Sequence, residues 1–111
     1  MLHRMNLRSE PFEKIRSGQK TIELRLYDGK RRLIAPGDRI EFSCEGESIL
    51  TEVTALHRFG SFAELYENLP LLKCGYTAGT VSSASPRDME AYYPPDKQVQ
   101  YGVLGIELRL I

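Results

Sequence analysis

The chain has 111 residues, of which 41% are hydrophobic and 27% charged, and its formal net charge is zero. This length and composition indicate one domain, residues 1–111, and exclude a disordered chain or a separate cofactor domain. No run reaches the roughly 18 apolar residues of a membrane span. Residues 1–8 contain no signal-peptide core, so we expect a soluble cytoplasmic protein without membrane contact.

The first quarter of the chain predicts a strand, a helix and a second strand. Residues 3–7 open as a short strand, and Ser9 is placed to cap a helix that has Pro11 in its first turn and ends at Gly18. Residues 20–27 then alternate, which indicates a half-buried strand with one polar face. The apolar face holds Ile22, Leu24 and Leu26, and the polar face holds Thr21, Glu23, Arg25 and Tyr27.

The middle of the chain predicts a hairpin. Residues 28–32 indicate a turn that leads into a basic loop, and a strand follows at about residues 39–44. Residues 45–47 predict a tight turn, after which a second strand runs from about residue 49 to 57.

The second half predicts two short helices and a final strand. Ser61 followed by Glu64 is a capping-box signal, and residues 85–88 contain a second sequence pattern typical of a helix N-terminus. Between them, residues 78–85 are rich in small and hydroxyl side chains and predict a flexible loop. Residues 101–111 predict a long strand whose glycines indicate a bend or a close backbone approach.

Strands therefore predominate, and helices are inserted between strands that are not neighbours. This order favours an α+β fold, a small mixed β-barrel with two or three short helices, over a parallel βαβ fold.

Several blocks of sequence resemble one known family. Residues 18–25, Gly-Gln-Lys-Thr-Ile-Glu-Leu-Arg, are similar to the GxKxxExR signature of ASCH domains, and Gly37-Asp38 follows as expected. Residues 59–65 resemble the helix start F-x-S-F-x-E-L of the family, and residues 101–106 resemble its closing Y-G-V-x-G-I strand. The resemblance implies a PUA-like β-barrel that binds RNA in a cleft beside the signature.

The signature residues also suggest chemistry on their own. Lys20 lies where helix gives way to strand, so its ammonium could hold a phosphate at a cleft mouth. Glu23 and Arg25 are two residues apart on one strand face, roughly 6–7 Å at the backbone, and could pair or hold a ligand between them. The alternative is a surface ion pair without a role.

Aromatic and basic residues could complete a nucleic-acid site. A base could stack on Tyr27, Tyr92, Tyr93 or Tyr101, and the loop Lys30-Arg31-Arg32 suits phosphate contacts. Residues 1–39 hold 10 Lys and Arg against 5 Asp and Glu, whereas residues 40–111 hold 5 against 10. One side of the molecule is basic if the fold keeps these halves apart, and otherwise the tyrosines pack and the loop is merely solvated.

The resemblance leaves an enzymatic alternative open. Some small bacterial ASCH proteins are amidohydrolases that act on N4-acetylcytidine through the signature lysine, a threonine on the next strand and a downstream glutamate. Lys20 matches the lysine, but Glu23 stands where the threonine is expected, and the glutamate has no clear equivalent. A ribonuclease would use Lys20 to stabilise phosphorane charge and Glu23 or a tyrosine to move protons.

The function predicted first is therefore an RNA- or nucleotide-binding module, with a nucleoside amidohydrolase or ribonuclease as the alternative. The catalytic residues of an enzyme would be Lys20 and Glu23. The ligand-binding residues are predicted to be Lys20, Glu23, Arg25, Tyr27, Lys30, Arg31, Arg32 and Tyr101.

No cofactor or metal is expected, because the cysteines and histidines are isolated in the sequence. Cys44 and Cys74 should be buried or half-buried, and His3 and His57 do not indicate a metal site. RNA or a nucleotide is the expected partner, and a homodimer that shares an edge strand stays an alternative.

Overall fold

The computed structural model describes all residues, 1–111. Five strands form one mixed sheet that curves into a half-barrel. They are β1 (Leu2–Asn6), β2 (Ile22–Leu26), β3 (Arg39–Cys44), β4 (Glu47–Phe59) and β5 (Val103–Leu110). Three short helices, α1 (Ser9–Arg16), α2 (Phe62–Asn68) and α3 (Pro95–Tyr101), lie between them, together with several 3₁₀ turns. The strand-dominated α+β fold is thus confirmed.

The strands are ordered β1-β3-β4-β5-β2, and β1 is parallel to β3 while the other neighbours are antiparallel. Both β1 and β2 are therefore edge strands. Two side chains from β2 and the loop after it reach across to β1. Arg25 Nη2 donates to the Asn6 carbonyl at 3.1 Å, and Lys30 Nζ donates to the Arg4 carbonyl at 2.9 Å. These bonds satisfy carbonyls that an open edge would leave free.

The core consists of two hydrophobic clusters. In one, Phe12 and Ile15 of α1 pack against β3, β4 and β5, and in the other the apolar face of β2 packs against Phe62 and Leu65 of α2. Each fully buried side chain of this size contributes about 1.5–3 kcal/mol relative to exposure. The apolar face of β2 predicted from alternation is confirmed, since Ile22, Leu24 and Leu26 are all buried. The strand is shorter than the predicted residues 20–27, and it is not half-buried, because Glu23 on its polar face is buried as well.

Local signals explain the turns and caps. At the β3–β4 hairpin, Glu45 and Gly46 have φ of 49° and 84°, as a two-residue hairpin turn with two positive φ angles requires. The Ser61 side chain accepts a hydrogen bond from the Glu64 N–H and so caps the N-terminus of α2. Ser85 forms a full capping box with Asp88.

The start of α1 differs from the prediction. Ser9 is the first helical residue and not the cap; the cap position belongs to Arg8, whose side chain makes no capping bond. The predicted loop at residues 78–85 includes a 3₁₀ turn, Val81–Ser83.

The C-terminal strand begins later than predicted. Tyr101 ends helix α3, and Gly102, with φ of 73°, turns the chain into β5. Pro95 at the first helical turn and Asp96 beside it favour this helix start. The close backbone approach predicted for the glycines is confirmed at Gly102, where a Cβ would lie 3.1 Å from the Phe59 carbonyl oxygen. At Gly105 the close neighbour is a side chain, because a Cβ there would lie 2.7 Å from Leu69 Cδ1.

Both cysteines are buried free thiols, as predicted. His3 bonds Asp38 at 2.9 Å and His57 bonds Glu107 at 2.7 Å, and no three His, Cys, Asp or Glu residues are arranged to hold a metal ion. No helix has the length and apolar character that crossing a lipid bilayer requires.

Candidate functional site

A cleft of about 520 Å³ opens beside β2, the end of β1, the first turns of α1 and the segment 74–93. Its volume is within the range of small-molecule sites. Lys20, Glu23 and Arg25 line the cleft, so the structure brings these three of the eight predicted ligand-binding residues together.

These three residues form a buried ionic triad. Lys20 Nζ lies 2.7 Å from Glu23 Oε1, and Arg25 Nε donates to Glu23 Oε2 at 2.8 Å. Their side chains are only 10%, 5% and 13% exposed. Burial alone would raise the pKa of Glu23, but the Lys20 ammonium and the Arg25 guanidinium outweigh it and lower that pKa below its usual range. The triad therefore carries one surplus positive charge beside the cleft.

The chain around Lys20 fixes the position of its side chain. The Lys20 N–H donates to the Lys14 carbonyl at 2.9 Å, after the turn at Gly18. Gly75 has φ of 115°, and a Cβ there would lie 3.4 Å from Lys20 Cδ. Lys14 Nζ donates to the Gly75 carbonyl at 2.7 Å and pairs with Glu10 at 2.9 Å, which ties this wall of the cleft to α1.

A chain of hydroxyl groups forms another part of the wall. Tyr76 donates to Asp88 Oδ2 at 2.7 Å, and the Tyr66 and Tyr76 hydroxyl oxygens are 2.7 Å apart. Because the single Tyr76 proton goes to Asp88, Tyr66 must donate to Tyr76, which leaves the Tyr66 oxygen only lone pairs to offer a ligand. Burial, together with these hydrogen bonds, raises the pKa of Tyr76.

The cleft mouth carries a cation and an aromatic ring. The Arg8 guanidinium lies 4.8 Å from the centroid of the Tyr92 ring, which is about half exposed. Arg8 forms no ion pair. Tyr93, by contrast, stacks on Phe62 with centroids 6.1 Å apart and belongs to the wall. Arg8 and Tyr92 are therefore the groups at the mouth that remain available to a ligand.

Comparison with known proteins now assigns the family. Residues 5–111 match the family model of the ASCH domain. The chain belongs to the ASCH domain family. The resemblance found in the sequence blocks is thereby confirmed.

Solved structures agree with this assignment. The crystal structure of the hypothetical protein PH0355 is 34% identical over the whole of both chains, with a TM-score of 0.84. The solution NMR structure of PF0455 from Pyrococcus furiosus is 35% identical over 100% of this chain and 98% of that one, with a TM-score of 0.75. The crystal structure of ASCH from Zymomonas mobilis is 19% identical over 97% of this chain and 66% of that one, with a TM-score of 0.65, and supports the fold alone. No curated protein matches the chain.

In this ASCH domain the GxKxxExR spacing has a direct geometric meaning. Gly18, with φ of 86°, lets the chain turn out of α1, and Lys20 then precedes β2. Glu23 and Arg25 follow on one face of that strand, so a local stretch of sequence delivers both cations to the same carboxylate. Only glycine adopts such a φ without strain.

The other five predicted ligand-binding residues of the ASCH domain do not line this cleft. Lys30 bonds the Arg4 carbonyl, and Arg31 pairs with Asp28 at 3.1 Å. Arg32 lies over the Tyr27 ring, and Tyr101 lines a second, smaller pocket. That any of these five contacts a ligand stays a prediction.

Several residues that line the ASCH cleft were not predicted from the sequence. Tyr66 and Tyr76 gave no local signal, because their hydrogen bond joins residues from separate elements. Asp88 had one, since its spacing from Ser85 predicts a capping box. In the sequence, Arg8 and Lys14 are indistinguishable from ordinary surface cations, one just before helix α1 and one within it.

Proposed function

We propose that this ASCH domain binds a nucleotide, free or within single-stranded RNA, in the 520 Å³ cleft. The observation that carries the proposal is the buried triad of Lys20, Glu23 and Arg25, whose surplus positive charge lies beside a cleft with tyrosine walls. Buried charge without a counter-charge is unfavourable, so an anionic group of a ligand would stabilise the site.

Each part of a nucleotide has a matching group. Lys20 has three ammonium protons, and its ion pair with Glu23 leaves some of them free to bind a ligand. Arg8 adds a guanidinium at the mouth. Both suit phosphate. A base can stack on the exposed Tyr92 ring, and the Tyr66 oxygen can accept an N–H from a base edge.

Binding measurements with three variants test the proposal. Calorimetric titration of AMP, UMP and single-stranded RNA into wild-type protein should show binding that weakens strongly as salt rises, because phosphate contacts dominate. Lys20→Ala should bind about 10-fold or more weakly, since one charge-assisted phosphate contact is lost. Lys20→Arg, which keeps the charge, should bind close to wild type.

The matched control is Lys97→Ala, an exposed lysine of α3 outside the cleft, which should leave the affinity for AMP and UMP unchanged. Wild-type protein that binds none of these ligands would contradict the proposal. Equal affinity of Lys20→Ala and wild type would contradict the role of the triad, and binding that is unaffected by salt would assign the affinity to stacking.

One observation favours a nucleoside hydrolase as a second candidate. Lys20 is only 9% exposed, within a cleft that can hold a nucleoside. A nucleophilic lysine needs a free amine, however, and Lys20 Nζ is engaged in an ion pair, 2.7 Å from Glu23 Oε1. We expect no turnover of N4-acetylcytidine and no cleavage of RNA by purified protein. Robust hydrolysis that Lys20→Arg abolishes with the fold intact would replace the binding proposal with the hydrolase.

A further inference from the structure

A second pocket of about 420 Å³ lies between the end of β4, the start of α2 and the end of α3. Arg32 and Arg58 both line it, and Glu64 is its only carboxylate. Tyr101 and Gly102 contribute the wall from the end of α3. The pocket is polar and open, and no residue of the cleft lines it.

The two arginines of this pocket converge on one aromatic ring. The guanidinium carbon of Arg58 lies 4.2 Å from the Tyr27 ring centroid and that of Arg32 lies 5.3 Å from it. The two guanidinium groups are therefore within about 10 Å of each other, held by cation–π contacts. The ring thus fixes two cations that are far apart in the sequence.

Neither arginine has a carboxylate partner. All ion pairs of the chain involve other residues, and Glu64 pairs with neither arginine although it lines the same pocket. In water the repulsion between two unit charges is ~0.4 kcal/mol at 10 Å and still only ~0.8 kcal/mol at 5 Å, so the fold tolerates the exposed pair without a counter-charge. Arg32 Nε donates one long hydrogen bond, at 3.5 Å, to the Tyr27 carbonyl, and the remaining N–H groups of both arginines are available to an anion from outside.

The pocket continues the line of the cleft along β2. Arg25 lies in the cleft, and Tyr27, beneath the arginine pair, directly follows the last residue of β2, so the two are two residues apart, which is roughly 7 Å in an extended chain. The Tyr27 N–H also donates to the carbonyl of Gly102, a lining residue of the second pocket, at 3.0 Å. A short extended ligand could therefore reach from one site to the other.

We infer that the Arg32–Tyr27–Arg58 pocket binds the phosphodiester backbone of a single strand whose neighbouring nucleotide occupies the cleft. This inference rests on the proposed function and names the ligand as an oligonucleotide rather than a free nucleotide. Guanidinium groups bind phosphate oxygens in a bidentate manner, which suits a pair of unpartnered arginines. It also gives Arg32 and Tyr101, predicted as ligand residues but absent from the cleft, a place on the same ligand, whereas Tyr27 acts indirectly by holding the two arginines.

The test compares a mononucleotide with an oligonucleotide. AMP and an oligoadenylate of about eight nucleotides are titrated into wild type and into the double variant Arg32→Gln, Arg58→Gln at several salt concentrations. AMP affinity should be unchanged. Oligoadenylate affinity should fall about 10-fold or more at low salt, and the slope of log affinity against log salt should decrease by about 1.4, or 0.7 per lost phosphate contact.

Arg39→Gln is the matched control. Arg39 is exposed, forms no ion pair and lies opposite Glu52 in the sheet, six residues along β4 from Arg58, which is roughly 20 Å away. It should change neither affinity nor salt slope. Thermal unfolding of each variant checks that the fold is intact.

The outcomes separate the two proposals. A double variant that binds oligoadenylate like wild type, with the same salt slope, overturns the backbone site and leaves the cleft as a nucleotide site. Equal weakening of AMP and oligoadenylate also overturns it, because the arginines would then act on the cleft itself. Wild-type protein that binds neither ligand overturns the proposed function and this inference together.

Discussion

Two places in the molecule each hold two cations close together, and the fold treats them differently. In the triad, Lys20 and Arg25 are nearly buried and the Glu23 carboxylate lies between them. In the second pocket, Arg32 and Arg58 are exposed and share only the Tyr27 ring. Burial explains the contrast, because a buried cation needs a counter-charge within the protein and an exposed one has water.

The same contrast determines how visible each site is in the sequence. The buried site needs its carboxylate at a fixed place, and a strand with its preceding turn supplies all three residues within residues 20–25. The exposed pair needs no internal partner, so residues 27, 32 and 58 can come from different elements without any local pattern.

The largest effect is expected for Glu23→Gln. It leaves Lys20 and Arg25 buried without a carboxylate, which should lower the free energy of unfolding by about 3–5 kcal/mol, measured by urea denaturation at neutral pH. The control is Glu52→Gln, whose partner Arg109 is 59% exposed and whose loss should cost less than about 1 kcal/mol. Equal costs for the two variants would show that burial does not distinguish them.

Lowering the pH should gradually remove the stabilisation that the ionised Glu23 carboxylate gives to the triad. The cations lower the folded-state pKa of Glu23 below its ordinary value of 4.5, although burial alone would raise it. The unfolded state therefore binds the proton first, so the stabilisation is complete above about pH 4.5 and decreases as the pH falls below it. Urea denaturation from about pH 7 to about pH 3 should show the difference between wild type and Glu23→Gln narrowing on the acid side.

The double variant Arg32→Gln, Arg58→Gln is the control for this pH series. Neither replaced arginine pairs with Glu23, so the difference between this variant and wild type should not follow the same course. A difference between wild type and Glu23→Gln that stays constant down to pH 3 would contradict the lowered pKa of Glu23.

An intermediate effect is expected for Gly75→Ala, which disturbs the buried site through its wall. Gly75 has φ of 115°, and the added Cβ would lie 3.4 Å from Lys20 Cδ. The strain should cost about 1–3 kcal/mol and weaken nucleotide binding through the displaced lysine. Gly29→Ala is the control, since Gly29 has no positive φ and open space around it, and it should change neither property. Unchanged stability and binding in Gly75→Ala would show that the wall does not position Lys20.

Local patterns account for what the sequence could predict. The alternation in β2 and the hairpin before β4 appear in the sequence because each depends on neighbouring residues. Helix α3 was missed for the same reason, since its only aliphatic residue, Val99, is 85% exposed and gives no amphipathic period. In the site, the triad was predictable and the chain of Tyr66, Tyr76 and Asp88 was not, because tertiary packing alone brings the latter together.

The smallest effect is expected where the exposed cations are removed without ligand. Two cation–π contacts at exposed sites contribute about 0.5–1 kcal/mol each, and the repulsion of ~0.4–0.8 kcal/mol between the cations offsets part of this. Arg32→Gln, Arg58→Gln should therefore lose about 1 kcal/mol of unfolding free energy in urea, and Arg39→Gln should stay within about 0.5 kcal/mol of wild type. A loss as large as that of Glu23→Gln would mean that the arginine pair holds the fold together. A small loss of stability, combined with weaker oligoadenylate binding, would show that the arginine pair serves ligand binding and not folding. This is the result expected of two cations that have no carboxylate partner within the protein.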